Sequence, residues 1–364
     1  MNTKRLLEQV PIDPAAEERA WAVVRAAYAR HEPVRTRRRL PVVAAVALGA
    51  LVAAAFSPPG RAVVDAVRRS IGIEHAAPAL FRLPAPGRLL VSGSAGTWVV
   101  SADGSKRRLG DYEQASWSPH GLFVVVARSN ELAAVEPGTG KVHWSLARRR
   151  VSFPRWGGSR TDTRIAYLTT SRLHVVAGDG TGDVDVQGLP AAAQVAPAWR
   201  PGDRHVLAYA TARGRVTVLD VDEGSVSWVS RRLGAVRALV WSRDGRTLVA
   251  ATARSLVRFD GTSGREHVLP VPGVEALAFA GRGALVALRG ATVLRIEGTR
   301  VRTLFGAPGP LHGLAASPDG SWLVTGLPGA DQWIFVGRRR VLAVSHIEHQ
   351  LGGGVQLDGW MPGA

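Results

Sequence analysis

Cysteine is absent from the 364 residues, so neither a disulfide nor a thiolate metal site holds the fold. Lysine is nearly absent. Lys4, Lys106 and Lys141 are the only three, which makes 43 of the 46 basic residues arginine. Genomic base composition can produce such a bias, so no arginine is a ligand by identity alone. Catalytic signatures are missing too: there is no Gly-x-Ser-x-Gly, no His-Glu-x-x-His and no phosphate-cradling loop. His346 and His349 stand three apart near a strand end, where alternate residues face opposite ways, and make a weak metal pair. Asp179, Thr181, Asp183 and Asp185 imitate the start of a calcium loop. Val184 and Pro190 occupy the positions that need the Gly and the bidentate Glu, so the segment reads as a hairpin turn. These absences predict a non-enzyme with no metal and no cofactor.

Repetition is what the chain has in abundance. Aligned on the residue before a tight turn, Trp117, Trp156, Trp199, Trp241, Phe279, Ala316 and Trp360 follow one another at spacings of 39, 43, 42, 38, 37 and 44. The clearest copy runs from Leu239 to Pro270, with four short apolar or alternating stretches closed by turns such as Asp244-Gly245 and Ser263-Gly264. One four-stranded copy leaves its faces uncovered, so copies must stack. A period near 40 with four strands per unit is the pattern of a β-propeller.

Trp117–Gly121, Trp241–Gly245 and Ser317–Gly320 resemble the Trp-Ser-Pro-Asp-Gly-like turns of TolB-type and WD-type propellers. Leu132–Leu146, with Glu136, Thr139-Gly140 and Trp144, resembles the repeat ends of quinoprotein-like propellers, as Val218–Trp228 does more weakly. The resemblance covers about residues 87–362 and implies a fold shared by many functions. The first unit, Gly87–Tyr112, lacks an anchor strand, and the last anchor, Val355–Trp360, lacks a following blade. Joined, they make one blade, which predicts an all-β, seven-bladed propeller over 87–364 closed by the C-terminal strand. The recurring Trp anchors are expected to pack between blades.

Ahead of the propeller the sequence predicts helices. Asp13-Pro14 starts a helix over 14–31 in the arm 1–39, with Trp21, Val24 and Tyr28 on one face; it either lies near a membrane or docks a cytoplasmic partner. Arg35, Arg37, Arg38 and Arg39 precede the uncharged stretch 40–56, which at ~1.5 Å per residue is at the short limit for a span. A retained single-pass anchor is the favoured reading, with the N-terminus cytoplasmic and the propeller extracytoplasmic. A cleaved export signal, for which Thr36–Leu40 loosely fits a twin-arginine pattern, and a buried core helix are the alternatives. Within 57–86, Gly60–Gly72 reads as an amphipathic helix with Val63, Val64, Val67 and Ile71 on one side, lying at the interface or on the propeller. His75–Pro86 reads as linker.

A net charge of +17 implies anionic partners. The loops between second and third strands carry Arg128, Arg172, Arg213, Arg215, Arg254 and Arg289, and the interblade connections add Arg148, Arg149, Arg150, Arg231 and Arg232. Both loop sets belong to one face of a propeller, where charges around one mouth reinforce each other; a solvated hairpin face is the blander account. The expected function is a membrane-tethered, non-catalytic scaffold binding a protein or an anionic polymer, with no specific nucleic acid. The alternative is a signal transducer resembling membrane anti-sigma proteins, with Trp21, Val24 and Tyr28 on the docking helix.

Overall fold

A computed structural model describes residues 82–363, excepting 160, 187, 189, 203, 204 and 282, together with the backbone of Ile73–His75. The expected arm, the stretch 40–56 and the helix over 60–72 lie outside the described residues. Among the described residues, no helix is long and apolar enough to cross a membrane.

Among the described residues, twenty-nine strands form seven sheets. Strand β1 (Ile73–His75) precedes blade 1, which contains β2 (Arg88–Gly93), β3 (Gly96–Ser101) and β4 (Lys106–Gly110). Blade 2 holds β5 (Gln114–Trp117), β6 (Val124–Arg128), β7 (Glu131–Val135) and β8 (Val142–Ala147). Blade 3 holds β9 (Val151–Gly158), β10 (Thr163–Thr169), β11 (Arg172–Ala177) and β12 (Val184–Asp185). Blade 4 holds β13 (Ala198–Trp199), β14 (Val206–Ala210), β15 (Val216–Asp220) and β16 (Ser225–Val229). Blade 5 holds β17 (Val236–Trp241), β18 (Thr247–Thr252), β19 (Leu256–Asp260) and β20 (Glu266–Leu269). Blade 6 holds β21 (Ala276–Ala280), β22 (Ala284–Arg289), β23 (Thr292–Glu297) and β24 (Arg300–Gly306). Blade 7 holds β25 (His312–Ala316), β26 (Trp322–Leu327), β27 (Gln332–Gly337) and β28 (Val341–Ser345).

Blade 1 is completed by β29 (Gln356–Met361), antiparallel to β2 as its innermost strand. Leu89 pairs with Trp360 and Val91 with Leu357, so the two ends of the propeller zip together as the sequence predicts. The innermost strands form an unbroken ring, each touching the next from β29 through β5, β9, β13, β17, β21 and β25 back to β29. Closure completes blade 1 and leaves only the short inner and outer edges of each blade.

Burial follows from stacking. The second and third strands are covered on both faces by neighbouring blades, so they read as near-continuous apolar runs; every residue of β14 and β15 is buried. Outer strands face water and are mostly exposed, as in β16 and β24. Each of seven core clusters draws on two adjoining blades, one cluster per junction. At roughly 1.5–3 kcal/mol per buried large aliphatic side chain, stability comes from these junctions, not from any blade alone.

The Trp anchors pack at the blade junctions, as expected, and three of them also bond to the neighbouring blade. Trp117, Trp199 and Trp241 donate their Nε1–H to Gly359, Arg155 and Ala198 carbonyls on the preceding blade, at 3.4, 2.8 and 3.0 Å. A second set works at the outer rim. Trp144 and Trp228, on the outer strands of blades 2 and 4, donate to Gly178 and Gly261 of the next blade at 3.0 and 3.3 Å. Their rings lie over Gly180 and Gly264, where a Cβ would stand 2.7 Å from the indole, and both glycines have positive φ. The quinoprotein-like segments are therefore rim clasps between blades.

Two expectations are corrected. Linker residues Leu83 and Ala85 are buried in the junction of blades 7 and 1, and β1 pairs in parallel with β28 as a fifth strand of blade 7. Part of the stretch read as linker thus belongs to the propeller, because the outer strand of blade 7 offers unpaired backbone groups. His346 follows β28 and caps a helical turn, α1 (Ile347–Leu351), and His349 lies within that turn, so the two are not on alternate faces of a strand. Ile347 and Leu351 anchor the turn by filling the same junction.

Candidate functional site

Backbone hydrogen bonds tie each second-to-third loop to the interblade connection on the same face. Arg148 N–H bonds Asn130 O, Ala191 bonds Ser171, Leu233 bonds Gly214, Gly273 bonds Ala253, and Leu311 bonds Gly290, at 2.7–3.2 Å. The predicted arginines therefore stand on one rigidly held face. Arg128, Arg172, Arg213, Arg215, Arg254 and Arg289 are all exposed.

They are not equivalent: those of blades 2 and 3 are paired and those of blades 4–6 are not, while Arg149 and Arg150 of the connection after blade 2 are exposed with no side-chain partner among the described residues. On blades 2 and 3, Arg128 Nη2 lies 2.6 Å from Glu131 Oε2, an ion pair by distance although its angle is not that of a hydrogen bond. Arg172 pairs with Asp185. Arg148 takes both Nε and Nη2 to Asp183 Oδ2 at 2.7 Å, which holds its pKa above the usual arginine range. Asp183 also accepts the Tyr167 hydroxyl at 2.7 Å; burial first, and that bond second, push the phenol pKa up. The calcium-like segment is thus spent on structure. Thr181 turns onto Asp179 at 3.0 and 2.7 Å, while Asp183 and Asp185 hold arginines. Among the described residues no group of His, Asp and Glu is arranged to hold a metal.

On blades 4–6 the arrangement differs. Arg213, Arg232, Arg254 and Arg289 are exposed, with no side-chain partner among the described residues. Among the described residues, the Arg215 side chain donates only to the Ser230 carbonyl, at 3.0 Å, and has no carboxylate partner. Arg231 is the exception, bound to Glu266 at 2.6 Å. The sequence could not separate paired from unpaired arginines, because Asp183 and Glu266 reach their arginines across a blade junction, 35 residues away in each case.

A further feature had no sequence signal. Because β12 has only two residues, a groove of about 800 Å³ opens between blades 3 and 4. Val184, Tyr209, Leu219 and Val226 line it, with the Arg164–Asp222 pair at 3.2 Å on its wall. Trp21, Val24 and Tyr28, proposed from sequence as a docking stripe, fall outside the described residues.

Comparison with known proteins agrees with this architecture. Residues 298–336 match the family described as WD domain, G-beta repeat. The match starts just before β24 and ends within β27, so the sequence repeat joins the outer strand of blade 6 to three strands of blade 7. No curated protein matches the sequence. Among solved structures, the β-propeller domain of Cps50 (Swd1) from Myceliophteria thermophila is 13% identical, with a TM-score of 0.52 over 64% of this chain and 84% of its own. A chain of a mitotic checkpoint complex is 15% identical, with a TM-score of 0.54 over 68% and 90%. A chain of Kuenenia stuttgartiensis hydrazine synthase is 17% identical, with a TM-score of 0.49 over 62% and 76%. At these identities the likeness is one of fold.

Proposed function

We propose that this protein is a non-catalytic binding scaffold whose arginine-bearing face takes an acidic protein segment at blades 4–6. A propeller with a WD40-type repeat fits protein binding. The observation that carries the reading is the run of uncompensated guanidinium groups, Arg213, Arg215, Arg232, Arg254 and Arg289, on three consecutive blades. Arginines already bound to carboxylates gain little from a further anion, whereas free ones on one rigid face add their fields. The reading includes the single-pass tether over 40–56 and an extracytoplasmic propeller, supported by the flanking arginine cluster. It also keeps the TolB-type likeness of the turns.

The test is binding of an acidic peptide library to the full-length chain and to the Arg213→Glu/Arg232→Glu/Arg254→Glu variant. Capture that is salt-sensitive and lost in the variant supports the reading. Equal capture by both chains overturns it, and preference for a sulfated polysaccharide over every acidic peptide replaces protein with polymer. Protease treatment of intact cells carrying a C-terminal tag tests the tether: a tag that stays protected removes the extracytoplasmic placement.

A further inference from the structure

Deep among the innermost strands, two ionisable groups lie near each other with no ion pair between them. Arg155 lies on β9 and Asp358 on β29, two strands apart around the ring. Each is partly solvent-accessible although the strands enclose it. Arg155 donates Nη1–H to Pro154 O at 2.8 Å, on its own strand, and has no carboxylate at ion-pair distance among the described residues. Burial pulls its pKa down, and among the described residues the one opposing charge that reaches it is Asp358, so an anion at its remaining N–H groups would be favoured.

Asp358 is not that anion, and hydrogen counting shows why. Between Leu90–Gly359 and Val91–Leu357 the register shifts, leaving Asp358 as the bulged residue whose side chain is re-aimed. Its Oδ2 lies 2.6 Å from Ser92 Oγ, which lies 2.9 Å from Thr97 Oγ1, which donates to Tyr112 O at 3.0 Å. Ser92 and Thr97 are almost wholly buried. The chain has three links. Two hydroxyls supply two hydrogens, so an ionised Asp358 leaves one link empty, whereas a protonated one fills all three. The carboxyl pKa agrees. Burial pushes it up to about 7, against the opposing pull of Ser92, Arg155 and the Ala115 amide. The surrounding elements add no other charge that reaches it. β2 and β3 present the two hydroxyls, Gln114 and Ser116 of β5 accept the Phe153 and Trp156 amides of β9, and Arg88 at the far end of β2 is bound to Gly121 O at 2.7 Å. Glu113, Arg237, Glu275 and His312 stand exposed where the innermost strands begin, on the arginine-bearing face.

We propose that the innermost strands hold a binding site for a small anion, with Arg155 as the recognition cation and protonated Asp358 leaving that cation unneutralised. Ionisation of Asp358 supplies an internal counter-charge that competes with the ligand. Anion affinity therefore falls as pH rises through the titration of Asp358.

Sulfate is the probe, because it stays a dianion across the pH range used. Calorimetric titration of the full-length chain should give one saturable site at about pH 5.5, weakened about tenfold or more at about pH 8.5. Arg155→Gln should abolish it, and Arg213→Glu/Arg232→Glu/Arg254→Glu should retain it. Asp358→Asn, which keeps shape and a donor toward Ser92, should bind equally at both pH values. This last variant decides the matter even if Arg155→Gln does not fold. Absence of saturable binding in the wild type, loss in the triple variant, survival in Arg155→Gln, or persisting pH dependence in Asp358→Asn would each overturn the site.

Discussion

Blades 2–3 and blades 4–6 carry arginines at matching loop positions, yet the two arcs use them for different ends. In the first arc Asp183, Asp185 and Glu131 hold Arg148, Arg172 and Arg128, while Arg149 and Arg150 have no side-chain partner among the described residues. There the charge ties Arg148 of blade 2 to blade 3 and orders the Tyr167 hydroxyl. In the second arc Arg213, Arg232, Arg254 and Arg289 point their charge outward with no partner among the described residues. Counting arginines on a face therefore overstates its field, and what matters is how many lack a carboxylate within reach.

The difference can be broken from either side. The largest expected effect is on the paired arc. Asp183→Ala strips two buried or half-buried partners at once and should cost about 2–3 kcal/mol by thermal or denaturant unfolding, leaving acidic-peptide binding at blades 4–6 unchanged. Next comes the Arg213→Glu/Arg232→Glu/Arg254→Glu variant. It should lower acidic-peptide affinity on the order of tenfold or more in low salt and flatten the salt dependence, with the melting temperature nearly constant. Reversing Arg128, Arg148 and Arg172 instead should destabilise the fold and change binding less.

A smaller effect contrasts the anchors of the same two regions. Trp241 Nε1 donates to Ala198 O, whereas Trp156 Nε1 is buried with no partner among the described residues. Trp241→Phe should therefore cost about 1 kcal/mol more in stability than Trp156→Phe. The smallest concerns Arg128, whose side chain is 54% exposed beside Glu131. Glu131→Gln should change stability by no more than ~1 kcal/mol, as exposed pairs do, while extending the uncompensated charge to blade 2 and raising acidic-peptide capture slightly.

The sequence alone determined the repeat, the blade count and the closure. Trp117, Trp199, Trp241 and Trp360 recur because each junction needs the same filler, and a missing first strand at Gly87 with a spare last one at Trp360 admits one topology. Local chemistry dictates such things: turn residues, apolar runs and their period are written along the chain. It also put the arginine loops on one face, since strand order fixes which turns emerge together. Tertiary structure alone decided which arginines are spent. Asp183 reaches Arg148, and Glu266 reaches Arg231, across a blade junction. The pairing of Asp358 with Ser92 spans 266 residues and exists only once the ring is closed. Charge compensation depends on distance in space, and in a circular fold the residues that meet at a junction or at the axis need not be neighbours in the chain.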